Sequence, residues 1–248
     1  MKNYFNSFLL MLQFLTRVPI NKSLPCENEN FKMGANFFSV VGLLIGGCQY
    51  LLFIILNKVV PVSFAVIAII VFEAMITGAL HIDGLGDTCD GFFAFKGKDK
   101  ILEIMKDSRI GTFACIGIVL DLLIKYEGYL LIASSSKSLC ILIIPVISRA
   151  SIVLLSYVGK TAKEKGSGNL FINTVTLKEL VVNMAFTLML GFFMNYILKT
   201  IVLLVAALVV TILFNLFCNS KINGITGDNL GANNELVTMV SLIIISSI

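Results

Sequence analysis

Charge is scarce in this chain. Asp, Glu, Lys and Arg make up 14% of its 248 residues, against about 25% in soluble domains. Hydrophobic residues reach 57% and the mean hydropathy is +0.94. Too few polar side chains are present to cover a water-soluble fold of this size, and the composition is the opposite of a disordered chain. Tryptophan is absent, so any interfacial belt must draw on the six Tyr and some of the 19 Phe. No C-x-x-C pair occurs among the six cysteines, and Cys48, Cys115, Cys140 and Cys218 lie in apolar runs. That excludes a disulfide framework and a zinc site as readings of the spacing. The opening Lys2–Val18 segment is apolar but ends in Thr16-Arg17-Val18-Pro19, without the small-residue site of a cleavable signal. The net charge of +4 comes from lysines scattered among apolar runs, which points away from nucleic acid.

What is present is length in apolar stretches. A crossing helix needs about 20 apolar residues. Ala35–Leu80 is almost continuously apolar, and as one helix it would be roughly 69 Å long, so it must fold back near Asn57-Lys58 and Pro61. The expected crossings are 35–57, 62–80, 110–133 and 139–158, then two from Leu180–Cys218 with a turn at Lys199-Thr200. The tail Leu236–Ile248 is expected to be a short seventh crossing, a re-entrant piece or an interfacial helix. Residues 1–34 form an N-terminal interfacial segment, of which the first 18 can lie flat on the membrane. With a cytoplasmic N-terminus, 14 of the 19 Lys and Arg fall on the cytoplasmic side, three fall outside (Lys58, Lys137, Lys199), and Lys125 and Arg149 fall within crossings. The prediction is an all-α, polytopic membrane bundle of six or seven crossings, a single domain over 1–248. Polar segments 81–109 and 219–235 would share the cytoplasmic side.

Six of the 15 acidic residues lie between Asp83 and Asp107. Within His81-Ile82-Asp83-Gly84-Leu85-Gly86-Asp87-Thr88-Cys89-Asp90-Gly91, helical spacing puts Asp83, Asp87 and Asp90 on one stripe. Three carboxylates so placed repel one another unless a cation sits between them. An all-oxygen set suits Mg²⁺ or Mn²⁺, which usually also holds phosphate. Gly84, Gly86 and Gly91 are expected to let a bulky substrate approach the backbone. The lone His81 is a general base, a partner that orients an aspartate, or an interfacial histidine without chemical importance. Lys106 and Arg109 suit phosphate binding, or anchor the next crossing. Thr226-Gly227-Asp228 lies in a Gly- and Asn-rich run of the kind that exposes N–H groups to anions. Asp228 can be a metal ligand, a base or a helix cap. Glu73, Asp121, Lys125 and Arg149 fall inside crossings, where ionisable groups are costly; internal pairing and catalysis are both open for them.

The run Thr77–Gly91 resembles the signature of the cobalamin synthase family, the adenosylcobinamide-GDP ribazoletransferases. Phe14-Leu15-Thr16-Arg17-Val18-Pro19, Phe37-Phe38 through Gly42-Leu43-Leu44-Ile45-Gly46, Met105–Gly111, Thr226-Gly227-Asp228 and Gly231-Ala232 are similar too, in order, over nearly the whole chain. The resemblance implies the last step of cobalamin nucleotide-loop assembly. A hydroxyl of α-ribazole, or of its 5′-phosphate, attacks the cobinamide-bearing phosphate of adenosylcobinamide-GDP, and GMP leaves with the help of Mg²⁺. On this reading Asp83, Asp87 and Asp90 hold the metal, while Lys106, Arg109, Thr226, Gly227 and Arg149 bind substrate. His81, Asp228 and Glu73 are the catalytic candidates. The expected place is the cell's inner membrane with the site facing the cytoplasm. Lipid, a second copy of the chain, or other nucleotide-loop assembly enzymes are the expected partners. A looser likeness ties Asp87-x-x-Asp90-Gly91 to the CDP-alcohol phosphotransferases, but the Ala-Arg expected after that Gly is replaced by Ala94-Phe95. An ion-coupled transporter using Glu73, Asp121 and Arg149 is a further alternative; it calls for inverted repeats, and none is visible.

Overall fold

The computed structural model describes residues 2–94, 96–135, 137–163 and 166–248, with the side chains of Lys2 and Ser167 excluded. Phe95 of the missing Ala-Arg pair, Ser136 of an expected connection and Lys165 of a basic loop lie outside the described residues. The described chain is built from helices: α1 (Lys2–Leu15), α2 (Asn28–Gly34), α3 (Phe38–Leu56), α4 (Val62–Thr77), α5 (Leu80–Phe93), α6 (Lys98–Ile104), α7 (Thr112–Ala133), α8 (Cys140–Val158), α9 (Leu177–Phe193), α10 (Ile197–Ile222) and α11 (Gly227–Ser247). Short 3-10 turns cover Ala35–Phe37 and Ser167–Leu170. Among the described residues the only β pairing is a bridge between Thr161 and Ile225.

Four stretches are long and apolar enough to cross a membrane: Asn28–Leu56, α8, α10 and α11. The bent pair α4 and α5 makes a fifth if taken as one span. α8 is the central post, with nearly every residue from Cys140 to Ser156 buried. α3 lies directly on it, because Gly42 and Gly46 bring its backbone against the Pro145 and Leu142 carbonyls. Small residues at such a crossing let van der Waals packing act between helices that lipid would otherwise separate. α9 and α10 instead expose large apolar side chains such as Phe192, Phe193, Leu198 and Leu213, as a lipid-facing hairpin would. The expected interfacial segment contains α1, whose Ser7, Leu10, Met11 and Leu15 are buried at helical spacing. At 14 residues it is about 21 Å long, too short to cross.

Four connections differ from the sequence reading. The turn after α9 falls at Met194–Tyr196, where Asn195 takes φ +60°, rather than at Lys199-Thr200. Those two polar residues are absorbed into α10: Thr200 Oγ1 donates to the Tyr196 carbonyl at 3.0 Å, and Lys199 reaches the Tyr196 ring. The polar stretch 219–234 is mostly helix, since α10 runs to Ile222 and α11 starts at Gly227. Its polar side chains are buried between helices: Asn233 Nδ2 donates to the Ser151 carbonyl and hydroxyl and to Thr211 Oγ1 at 3.1–3.2 Å. The tail is therefore the end of a 21-residue helix, not a separate 13-residue piece. Finally, the second crossing ends at Thr77 rather than Leu80, which already belongs to α5; the helical spacing read within 81–109 is that of α5.

The corner before α5 positions the site. Gly78 and Ala79 both take left-handed conformations, φ +62° and +56°, a geometry that favours glycine. The Arg17 guanidinium packs where a side chain on Gly78 would stand, and Arg17 N donates to the Ile76 carbonyl at 2.6 Å. The two αL residues turn α5 by 86° from α4. α5 therefore runs across the end of the bundle instead of continuing through it.

Candidate active site

α5 is unbroken through Gly84 and Gly86, so Asp83, Asp87 and Asp90 do share a stripe. The glycines serve helix contact, and Gly84 and Gly86 also line two of the cavities at this site, where backbone is open to a ligand. A Cβ on Gly84 would stand 2.6 Å from the Asp228 carbonyl oxygen, and one on Gly231 would stand 3.1 Å from His81 Cα. Gly91 packs against Met105 and Ile101, and Gly86 against Ile118 and Ala114. The contact between α5 and α11 is what brings Asp228 to the aspartate stripe.

Asp228 is not the cap of α11. Thr226 is the cap: its hydroxyl accepts from Asn229 N at 3.4 Å, and Asn229 Oδ1 accepts from Thr226 N at 2.9 Å. Asn229 Nδ2 then donates to Thr88 Oγ1 at 3.0 Å, tying the cap to α5. Thr226 thus has a structural role as the cap, and it also stands in the lining of one of the cavities at this site. Asp228, one residue inside the first turn, is left free to face the cavities.

Three neighbouring cavities meet here. A polar one of about 340 Å³ is lined by Asp83, Asp87, Asp90, Lys106, Asp107 and Arg109, among others. A largely apolar one of about 100 Å³ holds His81, Asp83, Gly227 and Asp228 on its wall. A third, about 150 Å³, is lined by Lys106, Lys163, Asn169, Thr226, Gly227 and Asp228. Asp83 belongs to the first and second, Asp228 to the second and third, and Lys106 to the first and third. Lys163 Nζ stands 3.9 Å from Asp228 Oδ2, and Thr226 Oγ1 donates to that oxygen at 3.1 Å.

The electrostatics are those of crowded carboxylates. Asp87 is pushed up to about 7, first by burial and then by the charges of Asp83, Asp228 and Asp90. Arg109 grips Asp107 through a two-nitrogen fork at 2.6–3.1 Å and holds that carboxyl down at about 2. This pair is at the surface, with the Arg109 side chain 87% exposed, where such pairs hold little energy; an incoming phosphate can take the guanidinium over.

Asp90 turns away from the expected ligand set. Its Oδ2 accepts from Gly111 N at 2.6 Å and its Oδ1 from Ala114 N at 2.9 Å. Both oxygens thus satisfy the otherwise unpaired N-terminal amides of α7. Among the described residues no three His, Cys, Asp or Glu side chains form a ready-made ion cage. The oxygens still fit Mg²⁺, which commonly takes one or two carboxylates and completes its shell with phosphate and water. A divalent ion would also relieve the repulsion that raises Asp87.

Glu73 and Arg149 lie elsewhere. Arg149 Nη1 donates to Glu73 Oε1 at 3.2 Å and to Ser148 Oγ at 3.0 Å, with both residues 5% exposed or less. They line none of the three cavities, so the structure corrects their expected roles in catalysis and substrate binding to a buried ion pair. Asp121 and Lys125 pair at 3.1 Å, and Lys125 also reaches Glu235, a partner the sequence reading had not assigned.

A profile of the cobalamin-5-phosphate synthase family matches residues 7–246. An adenosylcobinamide-GDP ribazoletransferase of Clostridium kluyveri is 46% identical over 99% of this chain and 98% of its own. The protein of that name from Clostridium tetani is 45% identical over 97% and 96% of the two chains. One from Clostridium botulinum is 44% identical over 99% of both. No solved structure matches. By sequence match over nearly its whole length, the chain belongs to the cobalamin-5-phosphate synthase family.

Proposed function

We propose that the chain transfers the cobinamide-bearing phosphate of adenosylcobinamide-GDP to a ribose hydroxyl of α-ribazole or its 5′-phosphate, releasing GMP. The observation that carries this reading is the junction of the three cavities at Asp83 and Asp228, with lysines on the far walls. Two charged substrates must meet at one phosphorus, and phosphoryl transfer needs little beyond positioning and charge.

The polar cavity takes the diphosphate of the donor, with Lys106 and Arg109 on its outer oxygens. Mg²⁺, held by Asp83 and Asp87, would neutralise the charge that develops on the transferred group. Asp228 lies where the acceptor hydroxyl enters and takes its proton as the new O–P bond forms. The bond between the two donor phosphates breaks, and the electron pair leaves with GMP. His81 shapes the wall beside that hydroxyl and is the competing proton acceptor. The apolar wall excludes water, which would otherwise hydrolyse the donor.

For topology, the reading is seven crossings: α3, α4, α7, α8, α9, α10 and α11. The N-terminus, α5, and the loops carrying Lys106, Lys163 and Gly227 face the cytoplasm. The charge asymmetry of the loops favours it, and the internal pairing of Asp121 with Lys125 makes α7 acceptable in lipid.

The test is GMP release by the purified chain in lipid nanodiscs from adenosylcobinamide-GDP and α-ribazole. Release should need both substrates, stop with EDTA and return with Mg²⁺. Absence of GMP release, with turnover of a CDP-alcohol instead, would overturn the assignment.

A further inference from the structure

The apolar cavity has a chemistry that the reaction above does not use. Its walls come from separate parts of the chain: Phe14 at the end of α1, Phe38 at the start of α3, and Phe171 after the second 3-10 turn, with Ile152 and Leu230 from α8 and α11. The rings are fixed against one another, Phe14 to Phe171 at 5.3 Å between centroids and Phe38 to Phe171 at 5.1 Å and 82°. Such tilted and edge-to-face pairs are a favoured, rigid arrangement. Asp83 and Asp228 line it as well, each shared with a neighbouring polar cavity.

An occupant must therefore be flat and apolar at one end and polar at the other. A corrin ring is far too large for about 100 Å³. Guanine carries several donors and acceptors, and burying them unpaired is costly; the carboxylates in the lining, Asp83 and Asp228, are already engaged in the proposed reaction. A benzimidazole base has a small aromatic body with almost no polar surface. The neighbouring cavity shares Gly227 and Asp228 with this one and adds Lys106 and Lys163, the chemistry for a phosphate one ribose away. The matched family is named for a product that carries a 5-phosphate.

We infer that the acceptor lies along the start of α11, its aromatic base in the cavity walled by Phe14, Phe38 and Phe171 and its 5′-phosphate on Lys163. This rests on the function proposed above and extends it to the acceptor subsite. The ribose then sits at Asp228, facing the donor diphosphate across Asp83.

Two measurements on the chain in nanodiscs test it. The first is direct binding of α-ribazole without donor, followed by benzimidazole fluorescence polarisation, which the absence of Trp leaves readable. The second is the KM for each substrate. Phe14→Ala should weaken α-ribazole binding roughly tenfold or more, the scale for trimming an apolar pocket. It should raise the acceptor KM at least about five times more than the donor KM. Lys163→Ala should bring the KM values for α-ribazole and its 5′-phosphate together. If Phe14→Ala does not accumulate, Phe14→Leu gives the same test with a smaller shift. If the Phe14 variants leave α-ribazole binding unchanged, or shift the donor KM instead, the subsite is wrong even though GMP is made. If α-ribazole binds and the variants weaken it while no GMP forms, the subsite stands and the proposed reaction fails.

Discussion

Two sets of charged residues use the same side chains in opposite ways. Deep in the bundle, Glu73 pairs with Arg149, and Lys125 lies between Asp121 and Glu235, all 5% exposed or less. At the mouth, Asp83 and Asp87 take part in no ion pair among the described residues, and the cation nearest Asp228 is 3.9 Å away. In the interior an unpaired charge would be prohibitive, so each of these three acids has a base beside it. At the mouth unbalanced charge is tolerated because water reaches it, and it is useful because a cation and a phosphate can complete it. On the proposed function, the difference separates residues that hold the helices from residues that would hold ligands, although both sets look alike as rare acids in an apolar chain.

The strongest way to break that contrast is to change one member of each set. Arg149→Met leaves Glu73 buried without its cation and should cost about 3–5 kcal/mol, seen as a much lower melting temperature in nanodiscs. Asp87→Asn removes a carboxylate already repelled by its neighbours. It should melt at or above the parent temperature while GMP release falls at least about 100-fold, the scale of losing one electrostatic contact to a reacting group. Equal melting of Arg149→Met and the parent would deny the pair its structural role. Normal turnover of Asp87→Asn would remove the carboxylates from the chemistry.

A smaller effect is expected where the two helices of the mouth touch. A methyl on Gly84 meets the Asp228 carbonyl oxygen at 2.6 Å, and backbone cannot rotate aside. Gly84→Ala should cost about 1–3 kcal/mol through overpacking and slow the reaction by moving Asp228 from Asp83. Gly47→Ala, with nothing within 4 Å of the new methyl, is the control and should be neutral or slightly stabilising. If both variants melt and turn over alike, the close approach of α5 and α11 does not set the site.

These distinctions were partly legible in the sequence. The stripe of Asp83, Asp87 and Asp90 followed from spacing alone, because α5 is a regular helix. The apolar runs gave the helices, but hydropathy took Asn229, Asn233 and Asn234 for a loop. All three have no exposed surface; inside a membrane bundle polar side chains bond across helices, so polarity there does not mark a connection. The sequence left internal pairing open for Glu73, Asp121, Lys125 and Arg149 and had no means of choosing partners, since the choice depends on how α4, α7 and α8 pack. Phe14 and Phe38 lay in stretches used for the family resemblance, yet in a chain with 19 Phe nothing singled them out as cavity walls. Lys163 was one lysine of a basic loop until the Thr161–Ile225 bridge brought that loop to α11.

Asp90 sits between the two classes, and the smallest expected effect decides where it belongs. By position it is the third carboxylate of the stripe; by its bonds to Gly111 N and Ala114 N it holds the start of α7 and the loop bearing Lys106 and Arg109. An asparagine keeps one acceptor oxygen, enough for one of those two amides, and loses the charge a metal would need. If Asp90 acts as a cap, Asp90→Ala should cost about 0.5–2 kcal/mol and Asp90→Asn less. The Mg²⁺ concentration for half-maximal GMP release should then stay within about twofold of the parent in Asp90→Asn, since no ligand of the ion has been touched. If Asp90 swings to the ion when substrate binds, that concentration should rise roughly tenfold or more, on the scale of a lost charged contact, while the melting temperature stays put. A titration of Mg²⁺ against GMP release, alongside a thermal melt of the same preparation, separates the two because the cap moves stability and the ligand moves metal dependence.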